Sequence, residues 1–256
     1  MEENTQTTDR ALQDDVHRLG DMLGEVIRAH GGEALFQQVE TMRRAAKTAR
    51  ESSDETTREG ARETLTKAAA GLSPRQALDV ARAFTLYFRL VNVAEDVHRT
   101  RLLRHWEMEG AKAHGPERGT AAVPESLLHT VDDMVAAGAN RESIEATLQD
   151  LHIRCVFTAH PTEARRRTTE RLLRDVRVSL EEKDRRAHTA TEEFARERRL
   201  RATVESLWEH ASERGQRPEV LEEVKAGLWY IEMVLFDAVP KVQRRLAKAL
   251  EVNFGP

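Results

Sequence analysis

Apolar residues recur every three or four positions over most of the chain, which is the spacing of one face of an α-helix. The pattern predicts a first helix over residues 9–30, ended by Gly31 and Gly32, because glycine readily adopts the backbone conformations that close a helix. Two more helices are expected around residues 35–46 and 65–72. The first stripe consists of Leu12, Val16, Leu19, Leu23 and Val26.

Ser73 marks the clearest helix start, since serine is a good cap, Pro74 suits the first helical position and Gln76 can close a capping box. The residues that follow are apolar on most sides as far as Trp106, so we expect this helix to form the core of an amino-terminal bundle. Residues 109–126 are rich in glycine and proline and predict a loop. A domain boundary placed there divides the chain into an amino-terminal helical region, 1–126, and a second region, 127–256.

Residues 153–158 depart from the helical pattern and predict a buried strand of the kind found in parallel sheets, whose two faces are both covered. Short helices over 127–137 and 141–151 precede it, Pro161 ends it, and a helix from 163 to about 186 follows. Each unpaired backbone group of a lone buried strand costs about 1 to 3 kcal/mol. Either the strand prediction is wrong, or its neighbours are missing from this chain.

Later helices are predicted after residue 191 and over 219–238, with a kink or a new start at Pro240. The last of these carries apolar residues on one face: Val220, Val224, Leu228, Ile231 and Leu235.

His160 is the strongest candidate for chemistry, because it would stand at the carboxyl end of the predicted strand, where α/β folds build their sites. Arg165, Arg166 and Arg167 follow in the first turn of the next helix. Arginine grips phosphate or carboxylate groups with two hydrogen bonds, so this cluster suits an anionic substrate. The alternatives are a structural histidine and a solvated arginine face.

Two further groups of polar residues have a structural interpretation. One helix face carries three polar residues spaced three positions apart, Asn92, Glu95 and His98. Metal binding by these residues is conceivable. A buried hydrogen-bonded network is favoured, because metal sites draw ligands from several elements. The second group is a basic run, expected to be a solvated face paired with neighbouring glutamates. It comprises Arg196, Arg198, Arg199 and Arg201.

Composition narrows the function classes. Hydrophobic residues make up 39%, charged residues 33% and aromatic residues 5%, which favours long amphipathic helices over a β-rich fold. The 44 acidic residues outnumber the 40 basic ones, which argues against a nucleic-acid partner. No apolar run approaches the ~18 residues of a membrane span. The single cysteine, Cys155, is expected to pack in the strand and fits a reducing cytoplasm.

The segment Val156-Phe-Thr-Ala-His160-Pro-Thr-Glu, followed by Arg166-Arg167-Thr168, closely resembles the Thr-Ala-His-Pro-Thr signature of phosphoenolpyruvate carboxylases and the Arg-Arg pair that follows it. Phe84 to Arg101 and Gly227 to Leu246 resemble helices of that family on either side of the signature. One departure is clear: the family usually has Thr-Asp-Glu-(Ile/Leu)-Arg after its Leu-Trp pair, whereas His210-Ala-Ser-Glu213-Arg214 follows Leu207-Trp208 here.

The resemblance implies a mainly α fold: a helical bundle that leads into the first strand, about 153–158, and the outer helices of an α/β (TIM-type) barrel that is incomplete in this chain. Family members are several times longer. The chain therefore resembles an amino-terminal fragment, which alone is expected to be inactive.

The function implied by the resemblance is carboxylation of phosphoenolpyruvate with bicarbonate to oxaloacetate and phosphate, which feeds the tricarboxylic acid cycle in the cytoplasm. His160 would be catalytic, and Arg166 and Arg167 would provide the anion environment. The resemblance also implies Mg²⁺, with ligands beyond residue 256, and a homotetramer at full length. Two alternatives remain: a phosphotransferase that uses His160 as phosphoryl acceptor, and a non-enzymatic helical interaction module.

Overall fold

The computed structural model describes residues 2–154, 156, 167–185, 187–211 and 220–255. These residues are mainly helical, which confirms the predicted class. A 3-10 turn, Pro116–Ala122, lies between the third and fourth helices, and a π-helical turn, Ile231–Leu235, joins the last two. The helices in chain order are α1 (Glu2–Glu51), α2 (Glu55–Ala70), α3 (Pro74–His114), α4 (Leu127–Ala136), α5 (Arg141–Gln149), α6 (Arg167–Arg185), α7 (Ala190–Ala211), α8 (Val220–Tyr230) and α9 (Phe236–Phe254).

The break predicted at the first pair of glycines is confirmed. Gly32 has φ 83° and ψ 166°, which is outside the helical region and is readily adopted by glycine. Residues 24 and 36 would be about 18 Å apart in an unbroken helix. Instead, the ring of Phe36 lies against Gly24, and the Arg28 guanidinium sits 3.6 Å from the centre of that ring. The chain therefore reverses direction at Gly32.

The predicted start of α3 is also confirmed. The backbone N–H of Ser73 donates to Gln76 Oε1 at 2.9 Å, and the N–H of Gln76 donates back to Ser73 Oγ at 3.4 Å. This is the reciprocal capping arrangement that the sequence predicts, with Pro74 as the first helical residue.

The predicted loop over residues 109–126 is only partly correct, since α3 continues to His114 and a 3-10 turn follows. Gly110 does not break the helix; it makes room for the turn. A side chain at Gly110 would collide with the carbonyl group of Gly119, so both glycines are needed for this close approach.

Two compact units divide the chain. The first contains residues 1–99 and 165–214, and the second contains residues 100–164 and 215–256. The core of the first unit is one cluster of residues at helical spacing on α1, α3, α6 and α7. Its most deeply buried members include Leu19, Val26, Leu86, Leu90, Val97, Val176, Leu180, Leu200, Val204 and Leu207. The boundary predicted at residue 126 stays a prediction.

The second unit has a smaller core, in which Leu128 and Val131 of α4 and Ile144 of α5 pack with Ala249 of α9. A polar contact supports this packing, because Asp132 accepts hydrogen bonds from Asn253 at 2.7 Å and from Arg118 at 2.8 Å. No new helix starts at Pro240: α9 continues through this proline, and a π-helical turn lies just before α9. The kink predicted as the other possibility stays a prediction.

The strand predicted over 153–158 is not seen in the part of it that the structure describes. Ile153, Arg154 and Val156 belong to no strand, and Ile153 and Val156 are each 79% exposed. The physical reason is the lack of partners, since the described residues contain no other strand whose backbone groups could pair with these. Cys155, Phe157 and Thr158 lie outside the described residues, and the barrel stays a prediction.

None of the helices in the described part of the chain combines the length and apolar character that crossing a bilayer demands.

Candidate functional site

His160 and Arg166 lie outside the residues that the structure describes, and so does Arg165. Arg167 is the first described residue of α6, and its side chain is not described. The helix predicted over 163–186 is confirmed as α6 from Arg167 onward. The assignments of His160 as a catalytic residue and of Arg166 and Arg167 as anion-binding residues stay predictions.

α6 is firmly held in the first unit, close to its first described residue. Thr169 is buried within the first turn, and Leu173, Val176 and Leu180 follow at spacings of three and four residues. Together they form one face directed into the core of the first unit. The helix that follows the predicted catalytic motif is thus anchored by packing.

Arg196 corrects the prediction of a solvated basic run. Its side chain is 1% exposed, and it is among the most deeply buried residues of the chain. Arg196 Nε donates to Glu193 Oε2 at 3.0 Å, and Arg196 Nη1 donates to the carbonyl oxygen of Ser179 on α6 at 3.1 Å. A buried guanidinium must have such partners, because burying a charge without them is costly.

The sequence contained a signal for this burial. Arg196 is in register with Leu200, Val204 and Leu207, the buried face of α7, at spacings of four, four and three residues. The charge pattern and the neighbouring glutamates do not distinguish Arg196 from the other arginines, whereas this register does. Arg198, Arg199 and Arg201 are exposed as predicted.

Ion pairs extend from Arg196 to α1. Arg18 Nε donates to Glu197 Oε1 at 3.1 Å, and Arg18 also approaches Glu193 Oε1 at 3.8 Å. Asp15, which is fully buried, accepts from Lys183 Nζ of α6 at 3.2 Å. These contacts connect α1, α6 and α7 through alternating charges.

The same contacts shift the pKa values of Arg18 and Glu193. Burial lowers the pKa of the Arg18 guanidinium and the nearby Arg196 charge lowers it further, while Glu193 and Asp15 act in the opposite direction. The hydrogen bond from Arg196 lowers the pKa of the Glu193 carboxyl group. The network therefore favours the charged form of Glu193.

Arg82 of α3 fixes the end of α7. Its guanidinium carbon lies 3.8 Å from the centre of the Trp208 ring, and the same side chain donates to the Trp208 carbonyl oxygen. Leu207 and Trp208, the pair that carries part of the family resemblance, are both buried. Residues 212–219, which include most of the divergent segment after this pair, lie outside the described residues.

The hydrogen-bonded network predicted on α3 is not buried as expected. Asn92 and Glu95 are exposed, and His98 Nε2 lies 3.4 Å from Asp9 Oδ1 of α1. The buried face of α3 runs instead along Leu86, Leu90 and neighbouring positions, rotated from the predicted one. Among the described residues, no group of three or more histidine, cysteine, aspartate or glutamate side chains is placed to hold a metal ion.

Shallow grooves on the first unit carry mixed charge. One is lined by Glu182, Arg185, His188, Glu192 and Arg199, among others. Arg199 pairs with Glu182 at 3.5 Å and Arg185 pairs with Glu181 at 3.2 Å, so the arginines of this groove have acidic partners on the protein itself. This arrangement does not favour an anionic substrate over a cationic one.

A family model described as phosphoenolpyruvate carboxylase matches residues 12–256. The chain belongs to this family. Its motif regions map onto the structure accordingly: Phe84 to Arg101 lies on α3, and Gly227 to Leu246 lies on α8 and α9. The His160 signature falls between α5 and α6.

Curated relatives agree with the family assignment. The phosphoenolpyruvate carboxylase of Thermus thermophilus is 37% identical over 244 residues, which is 95% of this chain and 26% of the relative. That of Roseiflexus castenholzii is 37% identical over 239 residues, 92% of this chain and 24% of the relative. That of Paraburkholderia xenovorans is 33% identical over 243 residues, which is 94% of this chain and 23% of the relative. The chain spans about a quarter of the length of the curated relatives it matches.

Proposed function

We propose that this chain is the amino-terminal part of a phosphoenolpyruvate carboxylase and that it supplies the proton acceptor, His160, for carboxylation of phosphoenolpyruvate by bicarbonate. The observation that carries the proposal is membership of the family over residues 12–256, with the signature Thr158-Ala-His160-Pro-Thr162 inside the matched region. Cytoplasmic location and a full-length homotetramer belong to the same proposal.

The proposed reaction has three steps. Phosphoryl transfer from phosphoenolpyruvate to bicarbonate gives carboxyphosphate and the enolate of pyruvate. His160 then takes the proton of carboxyphosphate, which breaks down to carbon dioxide and phosphate, and the enolate attacks the carbon dioxide to give oxaloacetate. A positioned base of this kind contributes about 10²- to 10⁴-fold in rate, and histidine suits the role because its pKa is ordinarily near neutrality.

Arg166 and Arg167 are proposed to provide a positive environment for the phosphorylated intermediates, as arginine pairs well with phosphate oxygens. The family implies Mg²⁺. In the part of the chain that the structure describes, no group of three or more histidine, cysteine, aspartate or glutamate side chains is placed to hold a metal ion, and its ligands are proposed to lie beyond residue 256. The chain spans about a quarter of the length of its relatives, so the purified chain alone is expected to form no oxaloacetate.

The test is the substitution His160→Asn in a complete carboxylase that carries this sequence, with phosphate and oxaloacetate measured in parallel. We expect oxaloacetate formation to fall by about 10² or more, the typical effect of removing a general base. Bicarbonate-dependent release of phosphate should continue, with pyruvate as the other product, because the enolate is protonated instead of carboxylated.

His152→Asn is the matched control, since it makes the same substitution at an exposed histidine eight residues earlier. It should leave both products unchanged. Unchanged oxaloacetate in His160→Asn would refute the catalytic role, and equal loss of both products would assign His160 to the first step or to folding. A phosphorylated His160 after incubation with phosphoenolpyruvate would favour the phosphotransferase instead.

A further inference from the structure

Arg196 of α7 is a buried and oriented cation that donates a hydrogen bond to the backbone of α6. Its side chain is 1% exposed, and Glu193, one turn earlier on α7, accepts hydrogen bonds from both Nε and Nη2 of its guanidinium group. This two-point pairing fixes the plane of the guanidinium group. The remaining nitrogen, Nη1, donates to the carbonyl oxygen of Ser179 on α6 at 3.1 Å. One particular carbonyl of α6 is therefore held from α7.

Apolar packing alone fixes the position of α6 along its axis less closely. The buried face that includes Leu173 and Leu180 anchors the helix, but apolar attraction is non-directional, and packed helices slide past one another by small amounts. A buried hydrogen bond to one carbonyl specifies register instead. A second polar contact, from Lys183 Nζ to Asp15 Oδ1 at 3.2 Å, is made by a flexible side chain and constrains the helix less. Arg196 is thus the main polar constraint on the axial position of α6.

α6 carries this position towards the predicted catalytic segment. The helix starts at Arg167, seven residues after His160 in the chain, and Ser179 lies about 18 Å further along it at about 1.5 Å per residue. Residues 167–185 contain no proline or glycine at which the helix would kink. An axial shift of α6 at Ser179 therefore reaches Arg167 undiminished.

We propose that Arg196 is a positioning residue for the carboxylation: by fixing α6 along its axis, it sets the place of Arg166 and Arg167 and of the His160 segment that precedes them. A reacting group must be held within about 0.5 Å of its productive position, so a small axial shift of α6 is enough to lower its efficiency. This inference rests on the proposed function, because it takes His160 as the proton acceptor.

The test is Arg196→Lys in a complete carboxylase that carries this sequence, with phosphate and oxaloacetate measured in parallel. Lysine keeps the charge but has one nitrogen in place of the fork, so it cannot pair with Glu193 at two points and also hold the Ser179 carbonyl. The phosphate formed per oxaloacetate should rise about tenfold, since a misplacement of about 1 Å costs up to about 10²-fold in rate. Arg198→Lys, the same substitution at an exposed arginine two residues away, is the matched control and should leave this ratio unchanged.

The product ratio separates positioning from stability. A variant that is merely less stable loses phosphate and oxaloacetate in proportion, and that result for Arg196→Lys would overturn the proposal. Hydrogen exchange of peptides from α6 provides a second measurement that does not depend on activity. Exchange in α6 should be about tenfold faster in Arg196→Lys than in Arg198→Lys, because the helix is held less firmly. Equal exchange in the two variants would also overturn the proposal.

His160→Asn, measured alongside, separates this inference from the proposed function. If Arg196 acts through His160, adding Arg196→Lys to His160→Asn should raise the ratio no further, and an additional rise would refute the inference. A ratio raised by His160→Asn but not by Arg196→Lys contradicts this inference alone. A ratio left unchanged by His160→Asn contradicts the proposed function, and the exchange of α6 then decides whether Arg196 holds the helix.

Discussion

Two helical segments carry the same kind of apolar stripe and differ in what covers it. On α3, Ala83, Leu86, Leu90, Ala94 and Val97 are each at most 1% exposed. On α8 and α9, the apolar residues at helical spacing are between 42% and 62% exposed: Leu221, Val224, Leu228, Ile231, Val239 and Val242. The sequence predicts a helix in both segments, and both are helices. The comparison teaches that spacing determines the face of a helix, whereas its burial depends on a partner.

The partners of α3 are present within the first unit. Stripes on α1, α6 and α7 join it in one cluster, and the ion pairs around Arg196 connect three of those helices. The α8–α9 stripe has no comparable set of neighbours in the described residues. Four predictions test this contrast, from the largest expected effect to the smallest.

Leu90→Ala should cost about 2 to 5 kcal/mol of the stability of the first unit, because it leaves a cavity in a closed core. Urea unfolding followed by circular dichroism measures this loss. Leu78→Ala is the matched control on the same helix, where the leucine is 57% exposed, and it should have little effect. Equal effects of the two substitutions would mean that the α3 stripe is not the closed core described.

Arg196→Ala should cost about 1 to 3 kcal/mol, because it removes the donor to the Ser179 carbonyl and to Glu193 inside the first unit. The same unfolding measurement applies. Arg198→Ala changes an exposed arginine two residues away and should stay within about 0.5 kcal/mol of the unsubstituted chain. A result for Arg196 as small as that for Arg198 would support the original prediction of a solvated face.

The Glu193 carboxylate should contribute less than about 1 kcal/mol to the stability of the first unit, since its side chain is partly solvated. Its pKa is lowered in the folded state by Arg196, so the contribution is present above its ordinary value of 4.5 and is lost as the pH falls through the lowered folded value. The stability difference between the unsubstituted chain and Glu193→Gln should therefore shrink on acidification. A difference that grows at low pH would contradict the assigned direction of the shift.

Leu228→Ala should change stability by less than about 0.5 kcal/mol, because the side chain is already half exposed. Urea unfolding of the chain with and without the substitution, followed by circular dichroism, measures the change. A loss in the isolated chain as large as that of Leu90→Ala would show that the stripe is buried in the chain itself.

Local sequence was sufficient for several features of the fold. The turn at Gly32 and the cap formed by Ser73 and Gln76 depend on residues close together in the chain, and both were predicted correctly. The resemblance to the carboxylase family was also confirmed, because it depends on an ordered string of residue types. The roles of His160, Arg166 and Arg167 stay predictions from that same string.

The predictions from sequence are wrong where residues distant along the chain decide the local structure. The glycine content predicts a loop from residue 109, but Gly110 lies within α3 and admits the carbonyl of Gly119, which only the folded chain brings near. The exposed positions of Ile153 and Val156 reflect the lack of a neighbouring strand among the described residues, since a strand needs backbone partners from elsewhere.

The amino-acid sequence by itself determined the mainly helical class, the turn at Gly32, the start of α3 and the family, because each depends on spacing or order along the chain. Tertiary structure alone decided that Arg196 is buried beside the Ser179 carbonyl while Arg198 meets water, and that the α3 stripe is closed while the α8–α9 stripe is open. The physical reason is that burial and charge pairing are properties of two surfaces in contact, and a local pattern describes only one of them.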